Sequence, residues 1–118
     1  MNLSTYLIRR LEELGLEHAL GVPGDYVMPF MDVLLESKIK LVCTCNELNA
    51  GYAADGYARI RGLSALVVTY GVGGFSCFNA VSGAYAEHVP MVVICGGVPL
   101  QETRAGLVMH HRTTADYQ

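Results

Sequence analysis

The sequence predicts an α/β domain in which a parallel sheet is covered by helices on both faces. Short runs of apolar residues, many of them β-branched, alternate along the chain with longer stretches of helical character. Because successive residues of each run are apolar, each strand is expected to bury both of its faces. Helices between such strands are typical of a parallel sheet. The four predicted strands are 18–22, 41–45, 65–69 and 91–95.

Two amphipathic helices flank the first strand. Ser4 can cap the first helix, and Gly15 supplies a left-handed stop after it. Pro29 fits the first turn of the second helix. Between them, the turn at 23–25 ends the first strand and brings Asp25 to its carboxyl end. The apolar stripe of the first helix consists of Leu7, Ile8, Leu11 and Leu14.

The third and fourth helices are rich in small residues. The third begins at Glu47 and contains Gly51 and Gly56, although a glycine inside a helix costs roughly 1 kcal/mol relative to alanine. Both glycines therefore predict close packing against another backbone or a cofactor. The fourth helix is expected at 75–87, after a glycine loop at 71–74. If these small-residue helices lack their partners, they should expose apolar surface and favour self-association.

Composition excludes several classes of partner. The chain has 118 residues, of which 52% are hydrophobic and 16% charged, so part of its surface is expected to be an interface. A net charge of −3 without a basic cluster argues against nucleic-acid binding. The apolar runs are far shorter than the roughly 20 residues that span a bilayer, so no membrane partner is expected. The start lacks an export signal, which favours a cytoplasmic location.

The four cysteines do not form a strong metal motif. Cys43 and Cys45 would point the same way from the second strand, but no other pair has the spacing of a zinc site. We therefore expect no metal ligands in this chain. Together with Cys77 and Cys95, they are expected to be small core residues in a reducing compartment.

Polar residues and glycine turns follow the strands at the carboxyl edge of the predicted sheet, where ligands bind in open α/β folds. Asp25 follows the first strand, Glu47 the second, and the glycine loops at 71–74 and 96–99 the third and fourth. Glu47 is either a helix-start acid or a buried proton-handling group. His110 and His111 form an adjacent pair that is either solvated or functional.

The glycine loop GVGGFS at 71–76 does not match a nucleotide-binding fingerprint. Exposed N–H groups at a helix start attract anions, but Ser76 stands where a dinucleotide site needs a third glycine. No lysine follows as in a P-loop. A tight turn that allows close helix packing and a flavodoxin-like nucleotide-binding module both stay open at this point.

Several segments, in order, resemble the amino-terminal, pyrimidine-binding domain of thiamine-diphosphate-dependent 2-oxo acid decarboxylases. This group includes the pyruvate, indolepyruvate and phenylpyruvate decarboxylases, and the resemblance runs from Leu3 to His111. Glu47 and the glycine loop also resemble the wider family of thiamine-diphosphate enzymes, which includes the acetohydroxyacid synthases. Asp25 together with the histidine pair resembles the decarboxylases in particular. The matching segments are GVPGD at 21–25, CNELNAGYAADGYAR at 45–59, TYGVG at 69–73, GAYAE at 83–87 and HH at 110–111.

The resemblance implies a role for each matching site residue. Glu47 would hydrogen-bond the aminopyrimidine ring nitrogen N1′ and promote the tautomer that takes the proton from thiazolium C2. Asp25, His110 and His111 would position the substrate and move protons from the facing edge. The resemblance also assigns cofactor-binding positions beside Glu47, namely Gly71, Val72, Gly73 and Asn79.

The resemblance also implies what must complete the site. The family adds a middle domain and a third domain whose Gly-Asp-Gly motif binds Mg²⁺ and the diphosphate, so residues 1–118 would be an incomplete single domain. The partners would be a second copy of the chain or a complementary diphosphate-binding domain, together with a small 2-oxo acid. Alone, the chain should be inactive. A non-catalytic dimerisation or scaffold domain of the same fold is the alternative.

Overall fold

The computed structural model describes residues 2–106, and within them the chain forms six helices and four strands. The helices are α1 (Leu3–Glu13), α2 (Met28–Leu35), α3 (Glu47–Arg61), α4 (Val72–Ser76), α5 (Phe78–Ala86) and α6 (Leu100–Arg104). The strands are β1 (His18–Gly21), β2 (Lys40–Cys43), β3 (Ser64–Thr69) and β4 (Met91–Gly96). All four predicted strands are present, and their ends shift by one or two residues.

The four strands form one parallel sheet in the order β2-β1-β3-β4. From β1 the chain first moves outward to β2 and then returns past β1 to β3, so the direction of winding changes between β1 and β3. Such a switch point opens a crevice at the carboxyl ends of the two strands. The order therefore fixes where a ligand site is expected.

Hydrophobic residues pack on both faces of the sheet, as the sequence predicts. On one face, Ala65 and Val67 of β3 pack in a cluster with residues of α1 and α2. On the other face, Leu66 and Val68 of the same strand pack with residues of α3 and with Cys77. Successive residues of β3 thus alternate between two cores, which is why the strand is apolar throughout.

The prediction that each strand is buried on both faces is wrong for β2 and β4, neither of which contains a buried residue. Among residues 2–106, β2 pairs only with β1 and β4 only with β3, so these two strands form the edges of the sheet. The prediction that the four cysteines are core residues holds for Cys77, which is buried, and is wrong for Cys43, Cys45 and Cys95, which are exposed. An edge strand lacks a neighbour on one side, and apolar character in the sequence does not reveal that position.

Two helix starts differ from the predicted ones. Asn2, rather than Ser4, caps α1: its Oδ1 accepts a hydrogen bond from the Thr5 backbone N at 2.8 Å. The predicted glycine loop is partly helical, because α4 already begins at Val72. A break at Cys77 then separates α4 from α5. The stop after α1 is as expected, since Gly15 has φ of 83°.

The small residues of α3 and α5 pack these two helices against each other. A Cβ on Gly51 would lie 2.6 Å from the Ala80 Cβ, closer than two such atoms can approach. Ala54, Ala80 and Ala84 are buried as well. Gly51, Ala54, Ala80 and Ala84 therefore lie in the contact between α3 and α5, whereas Tyr52 and Tyr85 of the same helices are exposed, and self-association stays a prediction. The prediction of close packing fails for Gly56, where a Cβ would meet nothing within 4 Å.

Gly51→Ala is expected to destabilise the fold and Gly56→Ala to stabilise it, although both lie in α3. The new Cβ at position 51 overpacks the contact with Ala80, which should cost about 1–3 kcal/mol of unfolding free energy. At position 56 the alanine fits and should gain up to about 1 kcal/mol of helix propensity. Urea unfolding of the two variants measures the difference, and equal stabilities would contradict the packing account.

Candidate functional site

The carboxyl ends of the four parallel strands bring the predicted residues to one edge of the sheet. Asp25 lies in the turn after β1, Glu47 begins α3 after β2, and Gly71 precedes α4 after β3. Gly96 ends β4. The glycine turns and the two carboxylates thus share the edge at which the switch point opens.

Glu47 is the first residue of α3 and is partly buried. Asn46 caps the helix, because its side-chain oxygen accepts a hydrogen bond from the Asn49 backbone N at 2.9 Å. The Glu47 side chain reaches the start of α4, where its Oε1 lies 3.5 Å from the position that a Cβ on Gly73 would occupy. The carboxyl group therefore faces the glycine turn rather than open solvent.

The glycine turn needs its glycines for two different reasons. Gly71 has φ of 64° and ψ of −111°, a conformation that side-chain-bearing residues rarely adopt. Gly73 is buried, and a Cβ there would lie 3.0 Å from the Thr69 Cγ2. The turn is thus held against the end of β3 with its backbone close to Glu47.

Thr69 is a site residue that sequence analysis does not single out. It ends β3, is only 8% exposed, and its Oγ1 has no hydrogen-bond partner within residues 2–106. A Cβ on Gly24 would lie 2.8 Å from the Thr69 Cβ, so Thr69 stands between the turn after β1 and Gly73. A polar residue that closes an apolar strand, beside glycines on neighbouring loops, is the sequence signal that could have found it.

Two tyrosines join the Asp25 turn to the end of β3. Tyr26 and Tyr70 pack edge to face, with ring centroids 5.0 Å apart. Loss of hydration raises the pKa of the Tyr26 phenol above its ordinary value, and nearby Tyr70, Asp25 and Glu102 raise it further. Asp25 and α6, which carries Glu102, therefore lie close to this aromatic pair.

The remaining predicted site residues are exposed on the surface or lie outside the described chain. Val72 and Asn79 are exposed, on α4 and α5 respectively. Their cofactor-binding roles stay predictions. His110 and His111 lie outside residues 2–106. The structure thus brings Glu47, Gly73 and Thr69 together, with Gly71 and the Asp25 turn adjacent.

Other features of the described chain mark neither a metal site nor a second candidate site for a cofactor. Across residues 2–106, no group of three or more His, Cys, Asp or Glu side chains is arranged to hold a metal ion. No helix in that range is long and apolar enough to cross a membrane. A recess of about 400 Å³ lies between α1 and α2, lined by residues such as Glu12 and Lys38. It lacks both the glycine turns and the switch point of the sheet.

Fold and site together define an open parallel α/β domain with a carboxylate at the switch-point edge. Residues 1–117 match the family model described as "Thiamine pyrophosphate enzyme, N-terminal TPP binding domain". The chain belongs to this family. Its four-stranded parallel sheet with surrounding helices agrees with the α/β fold that the resemblance implies.

Relatives with similar sequences are decarboxylases. The chain is 50% identical over 111 residues to a pyruvate decarboxylase of Aspergillus fumigatus, covering 94% of this chain and 20% of the relative. It is 52% identical over 107 residues to an alpha-keto-acid decarboxylase of Mycobacterium leprae, covering 90% and 19%. It is 49% identical over 110 residues to pyruvate decarboxylase 2 of Arabidopsis thaliana, covering 92% and 18%. The chain thus spans about a fifth of these relatives.

Thr69→Val is expected to stabilise the chain on its own. Valine keeps the shape of the side chain but removes a buried hydroxyl that has no partner in the described part of the chain, and burying such a hydroxyl costs about 1–3 kcal/mol. Thr69→Ser is the matched control, because it keeps the hydroxyl and loses only the methyl group. Thermal unfolding should rank valine above the parent chain and serine below it. A destabilised valine variant would show that the hydroxyl already has a partner.

Proposed function

We propose that this chain forms the pyrimidine-binding half of a thiamine-diphosphate-dependent, non-oxidative 2-oxo acid decarboxylase. The observation that carries the proposal is the position of Glu47, whose Oε1 lies 3.5 Å from the place that a Cβ on Gly73 would occupy, a place that the Thr69 methyl group also approaches. The family and the decarboxylase relatives support the same reaction class. In this proposal residues 1–118 are part of one larger catalytic unit.

The residues present fit an aminopyrimidine ring. A flat heterocycle needs a wall without side chains, which the backbone of Gly71 and Gly73 can supply. It also needs hydrogen-bonding groups in its plane. Glu47 offers a carboxyl group, and the buried Thr69 hydroxyl, which has no hydrogen-bond partner among residues 2–106, could pair with a polar group of the ligand.

Glu47 would bind a ring nitrogen and exchange a proton with it. Its place at the first position of α3 lets the helix dipole stabilise the carboxylate, while the adjacent turn limits its contact with water. Asp25, His110 and His111 would bind the substrate carboxylate or carbonyl and move protons on the opposite side. When bound, the thiazolium ring of the cofactor would hold the electron pair left by carbon dioxide.

The proposed site is completed by groups outside this chain. The diphosphate and Mg²⁺ would be held by a complementary domain, supplied by a second copy or by another part of the protein. The product would be an aldehyde with one carbon fewer than the 2-oxo acid. We further propose a cytoplasmic location.

The alternative, a non-catalytic dimerisation or scaffold domain, is favoured by exposed aromatic side chains on α4 and α5. Phe75, Phe78 and Tyr85 are 55%, 64% and 84% exposed. Apolar groups at this exposure commonly mark protein interfaces. An interface is also needed for the proposed enzyme, so these side chains alone do not separate the two functions.

The chain alone is expected to self-associate through this aromatic surface. Sedimentation at increasing concentration should show a rising average mass, because association buries apolar area. A Phe78→Ser/Tyr85→Ser variant should shift the distribution towards monomer, whereas a Leu3→Ser variant, which removes an exposed apolar residue on α1, should not. A parent chain that stays monomeric throughout would contradict this expectation.

Glu47→Gln tests the proposed function directly. The chain would replace the matching segment of the Aspergillus fumigatus pyruvate decarboxylase, which supplies the rest of that enzyme. The parent chimaera should bind thiamine diphosphate with Mg²⁺ and decarboxylate pyruvate. Removing the proton-exchanging carboxyl should lower kcat by about 10²–10⁴-fold, the usual contribution of general acid–base catalysis.

The matched control is Glu13→Gln, because Glu13 is an exposed partner of Arg10 on α1 and such pairs contribute little. It should leave cofactor affinity and kcat unchanged. An active chimaera that is indifferent to Glu47→Gln would refute the role of Glu47. A folded chimaera that binds no cofactor would favour the scaffold function, and flavin affinity of the chain alone would favour a nucleotide-binding module.

A further inference from the structure

Cys77 and Cys95 lie on either side of the same glycine in α4. The Cys77 Sγ donates a hydrogen bond to the Gly74 carbonyl oxygen at 3.2 Å. The Cys95 Sγ lies 3.6 Å from the position that a Cβ on Gly74 would occupy. A glycine at this position therefore leaves the space next to the Cys95 thiol open.

The sheet register also places the two thiols on one face. Cys95 is the partner of Val68 across β3 and β4, and partners in adjacent parallel strands point to the same side of the sheet. Val68 packs in the cluster that contains Cys77. Cys95 thus faces the α3–α5 side of the sheet, where Cys77 is buried.

Their exposure differs. Cys77 is 1% exposed, whereas Cys95, near the end of an edge strand, is accessible to solvent. Burial raises the pKa of the Cys77 thiol, and the nearby Cys95 and Glu47 raise it further. Partial loss of hydration also raises the pKa of the Cys95 thiol, although this side chain is accessible to solvent. Both groups are therefore mainly protonated at neutral pH, and reaction at either should quicken as the pH rises.

We propose that Cys77 and Cys95 form a thiol pair that a small-molecule disulfide of the glutathione type converts into an intramolecular disulfide. The Cys95 thiolate attacks one sulfur of the reagent, which forms a mixed disulfide and releases one thiol. The Cys77 thiolate then attacks the Cys95 sulfur, forming the internal bond and releasing the second thiol. The two cysteines are oxidised, and one disulfide is reduced to two thiols.

Formation of this bond would alter the edge that carries Glu47. Cys77 would no longer donate to the Gly74 carbonyl, and its sulfur would be drawn towards β4. Gly73, one residue earlier, contacts Thr69 and Glu47. Oxidation is therefore expected to weaken cofactor binding at this edge, a consequence that rests on the proposed function. The disulfide itself does not rest on it.

The test uses the native chain, incubated with oxidised glutathione at mildly alkaline pH. Remaining thiols are then alkylated under denaturing conditions, and the cysteine peptides are mapped by mass spectrometry. The expected product is a peptide pair joined through Cys77 and Cys95. In Cys77→Ser, Cys95 should stop at the mixed disulfide. In Cys95→Ser, Cys77 should stay reduced, because it is buried and the exposed thiol that reacts first with the reagent is absent.

The control is a Cys43→Ser/Cys45→Ser variant, which removes the two exposed thiols near the β2 edge. It should form the Cys77–Cys95 bond at an unchanged rate. The proposal is overturned if Cys95 of the parent chain accumulates as a mixed disulfide while Cys77 stays reduced. It is also overturned if the internal bond joins other cysteines, or if Cys77 reacts equally fast in Cys95→Ser. These outcomes are independent of whether Glu47 acts in catalysis.

Discussion

The close approach of the Glu47 carboxyl group to the backbone of Gly73 is the constraint on which the site depends. Oε1 stands 3.5 Å from the place of a missing Cβ, and that same place is 3.0 Å from a methyl group of Thr69. A Cβ at position 73 would crowd the Thr69 methyl group and fill the space next to the Glu47 carboxyl group. The site therefore depends on the absence of a side chain at Gly73.

The order of the strands explains why this approach occurs at the β1–β3 boundary. β1 and β3 are central, and β2 and β4 lie outside them. The chain reaches Glu47 from an outer strand, and α3 then crosses back over the core face that contains Ala50 and Ala54. This crossing brings the start of α3 next to the turn that follows β3. The strand order and the packing of α3 together thus place Glu47 beside Gly73, although the two residues are far apart in the sequence.

The sequence predicted those features of the fold and the site that depend on neighbouring residues in the chain. Apolar runs predicted all four strands, and the residues after them predicted the edge shared by Asp25, Glu47 and Gly71. The exposure of β2 could not be predicted, because whether a strand is central or at the edge depends on its pairing with strands that are distant in the sequence. The break at Cys77 has no proline or glycine at that residue to reveal it. Thr69 can be recognised as a site residue only from its closeness to Gly24 and Gly73 in the structure.

The two glycines of α3 also show that a local sequence pattern does not reveal tertiary contacts. Gly51 and Gly56 give identical signals in sequence, yet only the first meets a neighbour that excludes a Cβ. What separates them is the position of Ala80 on α5. Family resemblance supplied what these local patterns lacked, since it assigned the carboxylate a ligand. The matching family model and the decarboxylase relatives support thiamine pyrophosphate as the ligand of the family, whereas the role of Glu47 stays a prediction.

The two outer strands, β2 and β4, each pair with one neighbour among the described residues. One row of main-chain N–H and C=O groups on each can therefore accept a further strand. Such growth needs no particular side chains, because the hydrogen bonds run through the peptide groups. A strand added beside β4 would widen the sheet and shield Val93, while the crevice between the inner strands would keep its shape.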